Sequence, residues 1–175
     1  MTSAKLAFVS LGSNIEPEAH LPRAVSELRR LGALRGVSSA YQDLAVGPTR
    51  QPDFVNAAVL LETTLPASEL RQGLRVIEAA LGRVRTPDRY APRTIDLDLC
   101  LIGSDIVVEE GWRLPDPDLL TRVYLAQTMA DLAPGFQHPQ TGETLQQIAL
   151  RLREGTTLKT RPDVTAQMIA AMKGG

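Results

Sequence analysis

The stretch FVNAAVLLETTLPASELRQGLRVIEAALG, residues 54–82, changes its apolar period partway along. Over 54–63, Val55, Ala57, Val59 and Leu61 fall on one side of an extended chain, while Phe54 and Asn56 begin the other side, so the spacing predicts a strand. Pro66 and Ser68 then open a segment in which Leu70, Leu74, Ile77 and Leu81 recur at helical spacing. Gly82 supplies the stop. A half-buried strand running directly into an amphipathic helix sets a mixed architecture, in which each element covers the other's apolar side.

Working upstream, residues 6–11 form a short apolar run bounded by Gly12-Ser13-Asn14, the pattern of a buried strand entering a turn. Across 18–31, Leu21, Val25, Leu28 and Leu31 keep to one helical face, with Pro17 and Pro22 near its start and Gly32 behind it. A second short strand is expected over 37–41. Gly47-Pro48 and Gln51-Pro52 mark a loop after it.

Downstream, residues 83–93 are polar, carry Pro87 and Pro92, and read as a loop. Residues 94–102, TIDLDLCLI, alternate as a strand with Leu97, Leu99 and Leu101 on one face; residues 106–108 are expected to pair with it as a hairpin. The span 115–153 reads as mainly helical. From Gly155 the chain is expected to be a tail with a short helix over 164–172. The order of elements implies one α+β domain over 1–153, a ferredoxin-like sandwich with a mainly antiparallel sheet covered by helices, followed by a tail over 154–175.

With 175 residues, 43% hydrophobic and 22% charged, the chain is too apolar for disorder and long enough for a sizeable core. Nineteen Lys and Arg against 20 Asp and Glu argue against holding nucleic acid or an anionic membrane by bulk charge. A single cysteine, Cys100, cannot form an internal disulfide, and the apolar run at 6–9 is too short for a signal peptide. A cytoplasmic monomer acting on small molecules is expected, with no nucleic-acid or membrane partner.

The chemistry concentrates in Arg93-Thr94-Ile95-Asp96-Leu97-Asp98. On a strand, Asp96 and Asp98 point the same way. Two carboxylates so close are unfavourable without a cation between them, and rigidly held oxygens suit magnesium. An isolated D-x-D is more often a solvated edge-strand face. Here Arg83, Arg85, Arg89 and Arg93 crowd the entering loop, and guanidinium groups match phosphate oxygens. Metal-binding carboxylates beside arginines suit a nucleoside triphosphate. The pattern G-x-x-x-x-G-K-[ST] is absent, and Gly12-Ser13 lies too far from Asp96 for the usual nucleotidyl-transfer arrangement.

Leu11-Gly12-Ser13-Asn14, Gln51-Pro52-Asp53-Phe54-Val55-Asn56-Ala57-Ala58, Gly82-Arg83-Val84-Arg85 and Ala91-Pro92-Arg93-Thr94-Ile95-Asp96-Leu97-Asp98 follow one another in an order and spacing that resemble the 6-hydroxymethyl-7,8-dihydropterin pyrophosphokinases of folate biosynthesis. The resemblance covers roughly residues 5–152. It implies transfer of a pyrophosphoryl group from ATP to the hydroxymethyl group of the dihydropterin, releasing AMP, with Asp96 and Asp98 holding two Mg2+ ions. Arg83 and Arg93 would steady the transferring group; Arg85, Arg122, Glu78 and Tyr90 would serve the nucleotide. Phe54 and Tyr124 would sandwich the pterin, Asn56 would bond its edge, and Leu44 and Val46 would line its pocket.

Two positions depart from the family pattern. Asp116 stands in Pro115-Asp116-Pro117 where the family carries a histidine, and Asp43 replaces a small or hydroxyl residue. A non-catalytic module that binds nucleotide or pterin, and a metal-dependent phosphohydrolase, are the competing readings. His20 and His138 are expected as surface histidines in turns, Cys100 as a small strand filler and Trp112 as a packing residue.

Overall fold

The computed structural model describes residues 2–43, 48 and 50–174. The expected Leu44 and Val46 lie outside the described residues. In chain order the elements are β1 (Lys5–Ser13), α1 (Pro17–Leu28), β2 (Ala33–Val37), β3 (Tyr41–Asp43), β4 (Phe54–Thr63), α2 (Ala67–Ala80), β5 (Asp96–Ile102), β6 (Val107–Glu109), β7 (Trp112–Leu114), a 3-10 helix (Pro117–Leu120), α3 (Val123–Leu132), α4 (Leu145–Arg153), β8 (Lys159–Thr160) and α5 (Pro162–Lys173). Six strands form one antiparallel sheet in the order β5-β1-β4-β3-β8, with β2 paired to β4 beside β3. The α+β class and helix-covered sheet read from the sequence are therefore observed.

Apolar alternation places a core on each face of the sheet. Val9, Leu11, Val55, Ala57, Val59, Leu97 and Leu99 pack beneath α1, α2 and α5. On the opposite face Phe8, Ala58 and Leu60 pack beneath α3 and α4, where Phe8 meets Phe136 edge-to-face at 4.8 Å between ring centroids. The strand over 54–63 and the helix following Pro66 form where the change of period put them, and Gly82 takes φ +85° just past α2, a left-handed conformation open to glycine.

Four expectations are corrected. The single strand over 37–41 is two strands interrupted at residues 38–40, because Ser38 takes both backbone groups of Ala58: its N–H donates to the Ala58 carbonyl and its hydroxyl accepts from the Ala58 N–H. Residues 106–108 do not pair with β5. Instead β6 and β7 form their own two-stranded ribbon across the turn at Gly111. Leu101 does not share a face with Leu97 and Leu99, since Val9 opposes Leu99 while Phe8 opposes Leu101, leaving Cys100 as an extra residue that reverses the alternation. The segment after Arg153 is also more than a tail: β8 extends β3, and α5 lays fully buried Val164 and Met168 into the core beneath α1.

Candidate active site

The site lies at one end of the sheet, on the face carrying α3. Gly12 of β1 pairs with Asn56 of β4 on one side and with Asp96 of β5 on the other. One row across three strands thus carries an amide, a glycine and a carboxylate, with the outer two about 10 Å apart at two strand spacings. Gly12 is needed there: a Cβ would meet the Asn56 Oδ1 at 3.0 Å and occupy the floor between the two polar groups. Two rows further along, Asp98 opposes Ser10, so both aspartates point to the same side, as the alternation requires.

Two cavities meet over this floor, of about 760 Å³ and about 450 Å³. Arg89, Arg93, Asp96 and Asp98 line both. Arg83 and Arg85 line only the larger cavity; Phe54, Asn56, Tyr90, Arg122 and Tyr124 line only the smaller one. The structure therefore separates residues that the resemblance grouped on the nucleotide side. Tyr90 and Arg122 belong to the smaller cavity, where Arg122 is paired with Asp118 at 2.9 Å. Glu78, 2% exposed, lines neither: one carboxylate oxygen accepts from the Leu97 N–H at 2.8 Å and the other pairs with Arg85 at 2.7 Å. It anchors the start of β5 and holds an arginine.

Asn14, 2% exposed, ties three loops together at the rim. Its side-chain amide donates to Gln51 Oε1 and the Pro52 carbonyl, its Oδ1 accepts from the Arg93 N–H, and Gln51 in turn donates to the Tyr90 carbonyl. The quoted motifs around Gly12, Gln51 and Arg93 are thus parts of one connected assembly.

The electrostatics are unbalanced in a way that suits a ligand. Asp96 sits between Arg93, at 3.1 Å, and Arg83, at 4.0 Å. The Asp98 carboxylate makes no hydrogen bond or ion pair to a described residue. Its side chain opens into the cavities but is ringed by protein, and this desolvation, followed by the charges of Asp96, Glu78 and Asp116, pushes its carboxyl up to about 7. Arg83, only 11% exposed, has a buried Nε without a partner, and burial lowers its proton affinity. An orphaned guanidinium donor beside a carboxylate that resists ionisation fits a polyphosphate carrying a divalent cation.

Among the described residues no group of three or more His, Cys, Asp and Glu side chains has metal-holding geometry. Magnesium is commonly held by one or two carboxylates together with substrate phosphates, so a pair is a sufficient protein contribution.

Asp116 lines the larger cavity, but one carboxylate oxygen is committed to the Asp118 N–H at 2.9 Å, capping the 3-10 helix, and burial pushes its carboxyl up toward the neutral form. Burial likewise pushes the Tyr124 hydroxyl up to about 12. The histidines are not surface residues: His20 is 9% and His138 is 1% exposed. His20 Nδ1 bonds the Ile15 carbonyl, while His138 Nδ1 accepts the Gln140 and Thr141 N–H groups, so each stitches its own turn.

Sequence reasoning missed Arg71 and Arg75 of α2, and Arg113 of β7, as lining of the larger cavity, and it assigned Trp112 to packing alone. The signal for the first two was present, because residues 71, 75 and 78 form one helical stripe beside the buried Leu70-Leu74-Ile77 stripe.

Among the described residues no helix is long and apolar enough to cross a membrane. The family model for 7,8-dihydro-6-hydroxymethylpterin-pyrophosphokinase matches residues 8–134. A 2-amino-4-hydroxy-6-hydroxymethyldihydropteridine pyrophosphokinase of Synechocystis is 35% identical over 145 residues, 81% of this chain and 73% of that protein. The proteins of that name from Pseudomonas aeruginosa and Haemophilus influenzae are 36% and 31% identical, covering 75% and 89% of this chain and 83% and 98% of theirs. A Plasmodium falciparum HPPK-DHPS triple mutant superimposes with a TM-score of 0.70 over 87% of this chain and 45% of that one; at 12% identity, that likeness concerns the fold. With three of the four motifs knit into one assembly and a family match spanning β1 through α3, the chain belongs to the 7,8-dihydro-6-hydroxymethylpterin-pyrophosphokinase family and is a hydroxymethyldihydropterin pyrophosphokinase of folate synthesis.

Proposed function

We propose that the larger cavity takes ATP and the smaller one the dihydropterin, with the transferred group between them over Asp96 and Asp98. The observation that carries this is the sharing of Arg93, Asp96 and Asp98 by both cavities, since an in-line transfer needs donor and acceptor to meet over one set of charges. The hydroxymethyl oxygen attacks the β-phosphorus and the α–β bridge breaks, leaving AMP.

Asp96 and Asp98 would hold two Mg2+ ions, which supply charge neutralisation and alignment of the phosphate oxygens. To hold the cations Asp98 would be in its ionised form, and Asp96 would give up part of its pairing with Arg93. Arg83 presents its guanidinium to the transferring group from the wall of the larger cavity, and Arg93 shifts from carboxylate to phosphate. Arg85 approaches the polyphosphate from its anchor on Glu78.

In the smaller cavity, Phe54 and Tyr124 stack on the pterin ring, and Asn56 offers donor and acceptor to its edge above the gap left by Gly12. Arg93 lies 5.7 Å from the Phe54 centroid, coupling the two halves of the site. Leu44 and Val46 remain assigned to the pterin side, and the chain acts as a cytoplasmic monomer.

The test is incubation with ATP, Mg2+ and 6-hydroxymethyl-7,8-dihydropterin, followed by nucleotide analysis. AMP formed only when the pterin is present is the expected outcome. Formation of ADP, or phosphate release without pterin, overturns the reading.

A further inference from the structure

The strand β3 is three residues long, and it stands against β4 with Tyr41 opposite Asn56, Gln42 opposite Val55 and Asp43 opposite Phe54. Asp43, Phe54 and Asn56 all line the smaller cavity. So short a strand contributes few ladder bonds of its own, and its placement depends on what holds its other side. That other side is β8, which sets Thr160 opposite Tyr41 and Lys159 opposite Gln42 and leads directly into α5.

The entrance of α5 takes hold of β3. Both backbone groups of the fully buried Ala40 are spent there: its carbonyl accepts from the Arg161 N–H at 2.9 Å, and its N–H donates to the Thr165 hydroxyl at 2.8 Å. The Arg161 guanidinium, fixed by Glu18 at 3.1 Å and Asp163 at 2.8 Å, also reaches the Gln42 Oε1 at 3.5 Å. At that length its weight lies in orienting the amide rather than in binding it. The Gln42 amide nitrogen in turn donates to the Asp53 carboxylate at 2.9 Å. A guanidinium only donates and an ionised carboxylate only accepts, so an amide between them has one satisfied orientation. Gln42 precedes Asp43 and Asp53 precedes Phe54. The relay therefore ties the end of β3 to the start of β4 beside two residues of the cavity wall.

Resting on the reading that the smaller cavity takes the dihydropterin, we infer that Arg161, acting through Gln42 and Asp53, is a positioning residue for the pterin, fixing how Asp43 and Phe54 stand in the cavity wall. Arg161, Gln42, Asp43 and Asp53 do not line the larger cavity. Loosening the relay should weaken the pterin and spare the nucleotide.

The alternative is that Arg161 only fastens α5 to α1 through Glu18. The experiment compares wild-type protein with Arg161→Lys, which keeps the charge without the fork that spans Glu18, Asp163 and Gln42 at once, with Gln42→Leu, and with the double variant. Glu18→Gln removes the tie to α1 and leaves the relay. Each is titrated by calorimetry with 6-hydroxymethyl-7,8-dihydropterin in Mg2+ and a saturating non-hydrolysable ATP analogue, and with the analogue alone. AMP formation gives kcat and the KM for the pterin. Unfolding midpoints establish that the variants are folded, and Gln42→Leu carries the test if Arg161→Lys is not.

The relay predicts that Arg161→Lys and Gln42→Leu each weaken the pterin about fivefold, with KM rising in step, kcat unchanged and the affinity for the analogue unchanged. The double variant should be no worse than either single one, because both break the same chain of contacts. Glu18→Gln should bind the pterin as wild type does. Unchanged pterin affinity in Arg161→Lys overturns the inference, as do equal weakening of pterin and analogue, additive losses in the double variant, or a matching loss in Glu18→Gln. Asn56→Ala reports on the underlying reading: if it leaves pterin affinity unchanged, the smaller cavity is not the pterin site and the positioning role falls with it. If Asn56→Ala weakens the pterin while Arg161→Lys and Gln42→Leu do not, only the positioning role fails.

Discussion

Asp98 shows how the surrounding chain acts on a single carboxyl group. Its folded-state carboxyl is raised to about 7, against an ordinary value near ~3.9 in the unfolded chain, so the folded protein retains a proton that the unfolded chain has already released. The stability linked to that proton is complete below the unfolded value and is lost as pH rises through 7. An asparagine stays neutral throughout. Asp98→Asn should therefore melt above wild type at pH 8, match it near pH 4, and lose nearly all AMP formation. Thermal unfolding across that range checks this, and an Asp98→Asn protein less stable than wild type at pH 8 contradicts it. The surroundings of Asn14 argue the same trade from the other side: every polar atom of its amide is spent on fixing where Gln51 and Arg93 stand.

Among the elements, α5 departs furthest from its sequence reading. Its boundaries agree closely with the expected 164–172, yet its role does not. Val164 and Met168 are completely buried beneath α1, and the Arg29 guanidinium reaches the Ala171 and Met172 carbonyls at the end of α5. Arg161, at the helix entrance, pairs with Glu18 at 3.1 Å and with Asp163, while its N–H donates to the Ala40 carbonyl. Met168→Ala should cost about 2–4 kcal/mol, the range for opening a cavity in a packed core. Chemical denaturation measures that difference, and a loss below about 0.5 kcal/mol would show that α5 is not packed as described. The residues that make this contact are visible in the sequence, but what they contact is 140 positions away. Periodicity marks an apolar stripe without naming its partner.

For the molecule as a whole, the consequence is that the packed structure extends past residue 153. Cutting the chain after Arg153 removes β8 and α5 and uncovers Leu21, Val25 and Ala40, which are fully buried in the intact protein. The shortened chain should lose its single cooperative unfolding transition, and a sharp thermal transition at the wild-type midpoint would refute this. The same scale explains which parts of the site could be read beforehand. Asp96 and Asp98 share a face because strand alternation is local, and the strand over 54–63 and the helix after it declare themselves through the period of their apolar residues. Those relations need only neighbours along the chain, so the sequence alone determines them. Which cavity Tyr90 and Arg122 enter, the withdrawal of Glu78 beneath the strand, the face reversal at Cys100, and the reach of Arg161 to Gln42 depend on pairing register and on helices brought together from distant segments. Only the folded molecule decides these, because they arise from contacts between elements whose relative placement no local periodicity encodes.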